Sequence, residues 1–133
     1  MAQINNTMNT VICYYQQFET KFSKDSKDFL KLWKKSWEIK GWNSVILGEN
    51  DAKQNPLYSQ INIDNPDANF YKTDNSNWKY HRSCYLRLLA YCQYVRQNGP
   101  TLYADYDVIN YNFTPDILNY MEEDSVLKGE RCA

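Results

Sequence analysis

The fold class this chain predicts is α/β, with parallel strands, and three observations predict it. Short β-branched and aromatic runs alternate with stretches of helical periodicity. Their order is strand, helix, strand, loop, helix, strand. Both long helix candidates stop at a glycine, Gly41 and Gly99. Such alternation builds a parallel sheet through right-handed crossovers, with helices layered on it. The chain has 133 residues, 43% of them apolar, which is enough for one core.

Residues 1–9 are polar and expected to fray, which leaves 10–133 as a single domain. Thr10, Val11, Ile12, Cys13, Tyr14 and Tyr15 read as a buried strand. After a polar loop, Ser23 or Ser26 is a candidate N-cap for a helix with Asp25 or Asp28 in its first turn. Phe29, Leu30, Trp33 and Trp37 give that helix one apolar face, and Lys31, Lys34, Lys35 and Lys40 a solvated one. Gly41 is expected in the left-handed conformation just past its end. Residues 42–47 form the second strand, after which Asn50 or Asp51 is expected to cap a short helical turn that ends before Pro56. The Asn- and Asp-rich stretch 59–77 reads as a long surface loop with one short element.

Residues 78–97 make the longest helix. His81, Tyr85, Leu88, Leu89, Cys92 and Val95 form its stripe, widened by Leu86 and Ala90, so burial on two sides is expected. Gly99 and Pro100 stop it. A strand-like run, 101–109, follows and leaves with two carboxylates, Asp105 and Asp107.

Several function classes are disfavoured. Fifteen basic and sixteen acidic residues give a net charge of −1, which supplies no electrostatic footprint for nucleic acid or an anionic membrane. No apolar run approaches spanning length, and residues 1–6 lack the charged and apolar regions of a secretory signal. Cys13, Cys84, Cys92 and Cys132 form no Cys-x-x-Cys pair, and His81 is the single histidine, so zinc is poorly supported. Mostly buried thiols in a reducing, cytoplasmic setting are the simpler reading. Four scattered glycines make no phosphate loop.

Asp105 and Asp107 carry the sharpest chemical signal. Two acids this close repel unless a cation lies between them, and Mg²⁺ or Mn²⁺ prefers such oxygens while keeping positions open for phosphate. In open α/β sheets ligands bind beyond the carboxyl ends of the strands, so residues 16–18, 48–51 and 105–107 are expected along one rim.

Arg87, Leu88, Leu89 and Ala90, then Asn98, Gly99 and Pro100, then Tyr103, Ala104, Asp105, Tyr106, Asp107 and Val108 together resemble a GT-A glycosyltransferase signature. In that pattern an Arg-bearing helix leads through a Gly-Gly turn to Tyr-x-Asp-x-Asp, and the layout is similar across residues 10–115. The resemblance implies a Rossmann-like three-layer sandwich with a mostly parallel sheet, a partial GT-A fold that binds a nucleotide sugar with Mn or Mg. It assigns the metal to Asp105 and Asp107, the ribose and diphosphate to Asp105, the donor sugar to Arg87, and base or ribose contacts to Tyr15, Gln17 and Asp51. There are departures from the pattern. Pro100 replaces the second glycine, and Cys84 stands where some members carry Asp. The short stretch after Asp107 leaves no acceptor half, so 10–133 reads as the donor half of a longer enzyme or as a minimal relative that binds without transferring. The competing expectation is a non-catalytic α/β interaction domain that self-associates as a homodimer.

Overall fold

A computed structural model of the protein describes residues 9–17, 23–61, 63–65 and 78–120. The expected frayed terminus (apart from Asn9), most of the expected loop 59–77 and residues 121–133 lie outside them.

Strand β1 (Thr10–Tyr14) decides the architecture. Val11, Ile12 and Cys13 are fully buried, and Thr10 and Tyr14 nearly so. A strand apolar on both faces belongs in the middle of a parallel sheet. Here β2 (Asn43–Leu47) pairs along one edge, from Thr10↔Asn43 to Tyr14↔Leu47, and β3 (Leu102–Tyr103) along the other, with Ile12↔Tyr103. All pairs are parallel, and the order is β2-β1-β3.

Alternation along β1 feeds two cores. Val11 and Cys13 pack with Trp33 and Trp37 of α1 (Ser23–Glu38) and with Trp42 and Ala104. Ile12 and Tyr14 pack on the opposite face with Leu86, Leu89 and Ala90 of α4 (Trp78–Asn98), with Leu47, and with Ala52 of α2 (Glu49–Lys53). A further short helix, α3 (Leu57–Gln60), follows α2.

The tryptophans also tie down the segment after β3. Trp37 Nε1 donates to the Val108 carbonyl at 3.1 Å and Trp42 Nε1 to that of Phe113 at 2.9 Å. The Asn110 backbone N–H donates to Ser36 Oγ at 3.0 Å. Residues 108–113 therefore cross α1 as a strap, ahead of a 3₁₀ helix at Pro115–Tyr120. Gly41 and Gly99 adopt φ of 94° and 87°, the left-handed conformation expected where α1 and α4 stop.

Three local expectations need correction. The α4 stripe holds in part: Leu86, Leu89 and Ala90 are buried as expected, whereas Leu88, Tyr85 and Cys92 face outward and Ser83 is buried. Ala52 of α2 shares one core with Leu86, Leu89 and Ala90, so the inward face of α4 is the one that faces the sheet and α2. Gly48, and not Asn50 or Asp51, is the N-cap of α2, because Asp51 at the third helical position accepts the Gly48 N–H. Finally, β3 spans two residues where a longer run was expected. Ala104 N–H still reaches the Ile12 carbonyl at 3.0 Å, but the Asp105 carbonyl then accepts the Val108 N–H and the chain turns.

Among the described residues no helix is long and apolar enough to cross a membrane.

Trp33 is completely buried against β1, so Trp33→Ala is expected to cost about 3–5 kcal/mol in urea denaturation. A loss below about 1 kcal/mol is incompatible with α1 forming one wall of a packed core.

Candidate functional site

Parallel pairing puts the carboxyl ends of all three strands on one side of the sheet. Tyr15 and Gln16 follow β1 there, Gly48 to Asp51 follow β2, and Asp105 to Asp107 follow β3. The strand alternation continues past β3: Tyr103 packs with the α4 core, whereas Ala104 and Tyr106 pack with the α1 core.

Asp105 is the organised member of this rim. Its Oδ1 accepts the Tyr103 hydroxyl at 2.6 Å and Arg87 Nη1 at 3.3 Å; the Arg87 and Asp105 side chains are 39% and 45% exposed. Both donors use Oδ1, leaving Oδ2 outside these contacts. Burial, and then the hydrogen bond to Asp105, push the Tyr103 phenol far above its ordinary range, so it stays a donor. Burial opposes the Arg87 charge, but Tyr103 and Asp105 outweigh it, and the guanidinium is raised further. On the opposite face of β1 the Cys13 thiol is pushed up to about 12 by burial and then by Asp105, which makes it inert as a nucleophile.

On the α1 side of the rim the Tyr15 and Tyr106 rings meet edge to face, with centroids 5.5 Å apart. The Tyr15 hydroxyl is buried and has no hydrogen-bond partner among the described residues. Burial first, then Asp107, raises the Tyr106 phenol.

The sequence-predicted residues thus divide. Arg87 and Asp105 are in contact, and Tyr15 stands beside Tyr106. Asp107 is exposed in the turn. Asp51 is spent inside α2, where Oδ2 accepts the Gly48 N–H at 2.7 Å. Gln17 is exposed, while its neighbour Gln16 accepts the Tyr14 hydroxyl at 2.9 Å. Among the described residues no group of three or more His, Cys, Asp or Glu is gathered so as to hold a metal by protein ligands alone. A shallow concavity of about 480 Å³, lined by Asn9, Glu38, Gly41, Trp42 and Asn43, opens at the other end of the sheet, by the amino ends of β1 and β2.

Sequence reasoning missed two features. Tyr103 lies two residues before Asp105, and on a strand that spacing puts both on one face; this signal was readable. The second is Arg82, only 12% exposed, which donates through Nη2 to Glu49 at 2.6 Å and through Nε to Asp64 at 2.8 Å. Tyr58 closes the network by donating to Asp64 Oδ2 at 2.7 Å. Pairings across 18 and 33 residues leave no local sequence signal. The network braces α2, α3 and the turn beyond them against α4.

Residues 4–90 match the family model described as a domain of unknown function, DUF8765. The chain belongs to the DUF8765 family. Neither a curated protein nor a solved structure matches it. The DUF8765 match takes in β1, β2, the whole Arg82 network and Arg87; Tyr103, Asp105 and Asp107 lie beyond it.

Burial opposes the Arg82 charge, but Glu49 and Asp64 more than offset it, and the guanidinium stays protonated. Asp64 is held below its ordinary range by the Tyr58 hydroxyl and, after a burial effect of opposite sign, by Arg82. A carboxyl depressed on folding stabilises fully above its unfolded value, about 4, and loses that contribution as pH falls through its folded value. Arg82→Gln is therefore expected to cost roughly 1–2 kcal/mol at neutral pH, discounted for the exposure of Asp64. It is also expected to flatten the decline in stability on the acid side. Urea titrations from neutral pH to about pH 3 measure both, and an unchanged neutral-pH midpoint contradicts the brace.

Proposed function

We propose that this protein binds a nucleotide sugar at the rim between β1 and β3, with a divalent cation, Mn or Mg, at Asp105 and Asp107. The frame we infer is a Rossmann-like three-layer sandwich, with α1, the sheet and α4 as its layers, of the kind found in the donor half of GT-A glycosyltransferases. One observation carries the reading. The chain leaves β1 for β2 on one side, then crosses to β3 on the other, and its two crossover helices pack on opposite faces. The loops diverge at such a reversal, and ligands of open α/β sheets bind there. Asp105 stands at that point, with Arg87 beside it and Tyr15 packed on the neighbouring Tyr106.

The residues fit a cation that the substrate helps to hold. Two carboxylates without a third protein ligand suit Mg²⁺ or Mn²⁺, which keep water and phosphate oxygens in their shells, better than an all-protein cage. When bound, the ion supplies neutralisation of diphosphate charge. Arg87 offers a second positive group to the donor, and the Tyr15 and Tyr106 rings offer an aromatic wall for the nucleoside. Asp51, engaged in its own helix, and Gln17 are the weaker members of the proposed set. The free thiols of Cys13, Cys84 and Cys92 fit a cytoplasmic setting. The reading concerns donor binding; transfer is a separate property, read by release of nucleoside diphosphate.

A second reading, self-association, is favoured by Phe29, Leu32, Ile39 and Ile46, which are apolar yet 38–68% exposed, with Ile46 on the outer strand β2.

Calorimetric titration with a UDP-sugar and Mn²⁺ is expected to show metal-dependent binding that Asp105→Asn and Asp107→Asn abolish. Binding unchanged in both variants refutes the site. For self-association, light scattering is expected to report a dimer that Ile46→Lys dissociates; a monomer throughout refutes that reading.

A further inference from the structure

We infer that Tyr103 is the positioning residue for Asp105 and that Arg87 is its displaceable counter-ion, so that the carboxylate meets a cation through Oδ2 alone. The inference rests on the donor-site reading above. Two donors converge on one oxygen, and they differ in how firmly they are held. The Tyr103 ring packs edge to face on Tyr91 of α4, with centroids 5.4 Å apart, and its backbone is in register with Ile12 of β1. Tyr91 is itself tethered, its hydroxyl donating to the Thr101 carbonyl at 3.2 Å. The phenol therefore has little room to swing, and a 2.6 Å hydrogen bond to a charged oxygen is of the strong kind. Arg87 also engages the Tyr103 oxygen, but its contact with Asp105 is longer, 3.3 Å, and its side chain is 39% exposed on a flexible stem.

The arrangement has a direct chemical consequence. In the empty protein the guanidinium partly satisfies Asp105, so a divalent cation arriving alone competes with it. A diphosphate offers Arg87 a better anion, one that matches its forked donors. Once Arg87 turns to the phosphates, the charge of Asp105 becomes available to the cation, while Tyr103 keeps the carboxylate aimed. Nucleotide and cation then bind as a thermodynamically coupled pair.

Calorimetry with Mn²⁺ alone, UDP alone, and Mn²⁺ at saturating UDP tests this on the wild type and on Tyr103→Phe, Arg87→Gln, Arg87→Lys and Asp105→Asn. Tyr103→Phe keeps the ring and is expected to weaken Mn²⁺ binding in the presence of UDP about tenfold, the usual effect of removing a group that orients a ligand. Arg87→Gln is expected to tighten Mn²⁺ binding in the absence of nucleotide, weaken UDP and reduce the coupling; Arg87→Lys, which keeps the charge without the fork, restores the coupling only in part. Thermal unfolding midpoints near wild type exclude a folding defect, and Arg87→Gln carries the test should Tyr103→Phe prove unstable. Binding that Asp105→Asn abolishes but that Tyr103→Phe and Arg87→Gln leave within about twofold of wild type overturns this inference and leaves the donor site standing. Absence of any Mn²⁺-dependent UDP binding in the wild type overturns both.

Discussion

Everything in this molecule is built around the burial of β1 on both faces. Its five residues leave almost no surface to solvent, and their alternation assigns Val11 and Cys13 to one helix and Ile12 and Tyr14 to the other. A strand in that position needs a partner on each edge to satisfy its backbone, and parallel partners need crossover connections. The order β2-β1-β3 follows, and with it the point at the carboxyl end of β1 from which the connections to β2 and β3 diverge. The rim is thus a by-product of how the core closes.

What fills that rim is polar in a graded way. On the α1 face Cys13 is held as a neutral thiol; on the α4 face Tyr103 packs on Tyr91, and Asp105 is shared between that partly buried phenol and a half-exposed arginine. Exposure increases outward, from the paired strand to the turn that carries Asp107. Sites that exchange a resting partner for a ligand need such a gradient, because the orienting group must stay while the counter-ion leaves. On the β2 side the Arg82 network plays a different part: three helices and a turn meet on one guanidinium, which stiffens the wall of the rim without offering a free charge to a ligand.

Much of the frame was legible because it rests on short-range periodicity. The β-branched run at 10–14, the Trp33/Trp37 spacing and the two stop glycines each encode a local rule, and the strands, α1 and the helix ends follow them. The inward face of α4 was read only in part: Leu86, Leu89 and Ala90 point inward as expected, but hydrophobicity alone also favoured Leu88 and Tyr85, which face solvent, and passed over the buried Ser83. Asp51 looked like a ligand-facing acid at a strand end, but helix capping, a purely local demand, claims its carboxylate. The contact of Arg87 with Asp105 and the Arg82 network were not legible, since their partners are distant in the chain.

The central claim is that the rim beside Asp105 receives a cation together with a nucleoside diphosphate. Anomalous diffraction from crystals grown with UDP and Mn²⁺ tests it most directly. The account predicts a manganese peak within coordination distance of Asp105 Oδ2, with the diphosphate next to it and Arg87 turned from the carboxylate towards the phosphates. Nucleotide lodged instead at the opposite end of the sheet, in the concavity by Trp42 and Asn43, or a manganese peak away from Asp105, contradicts it.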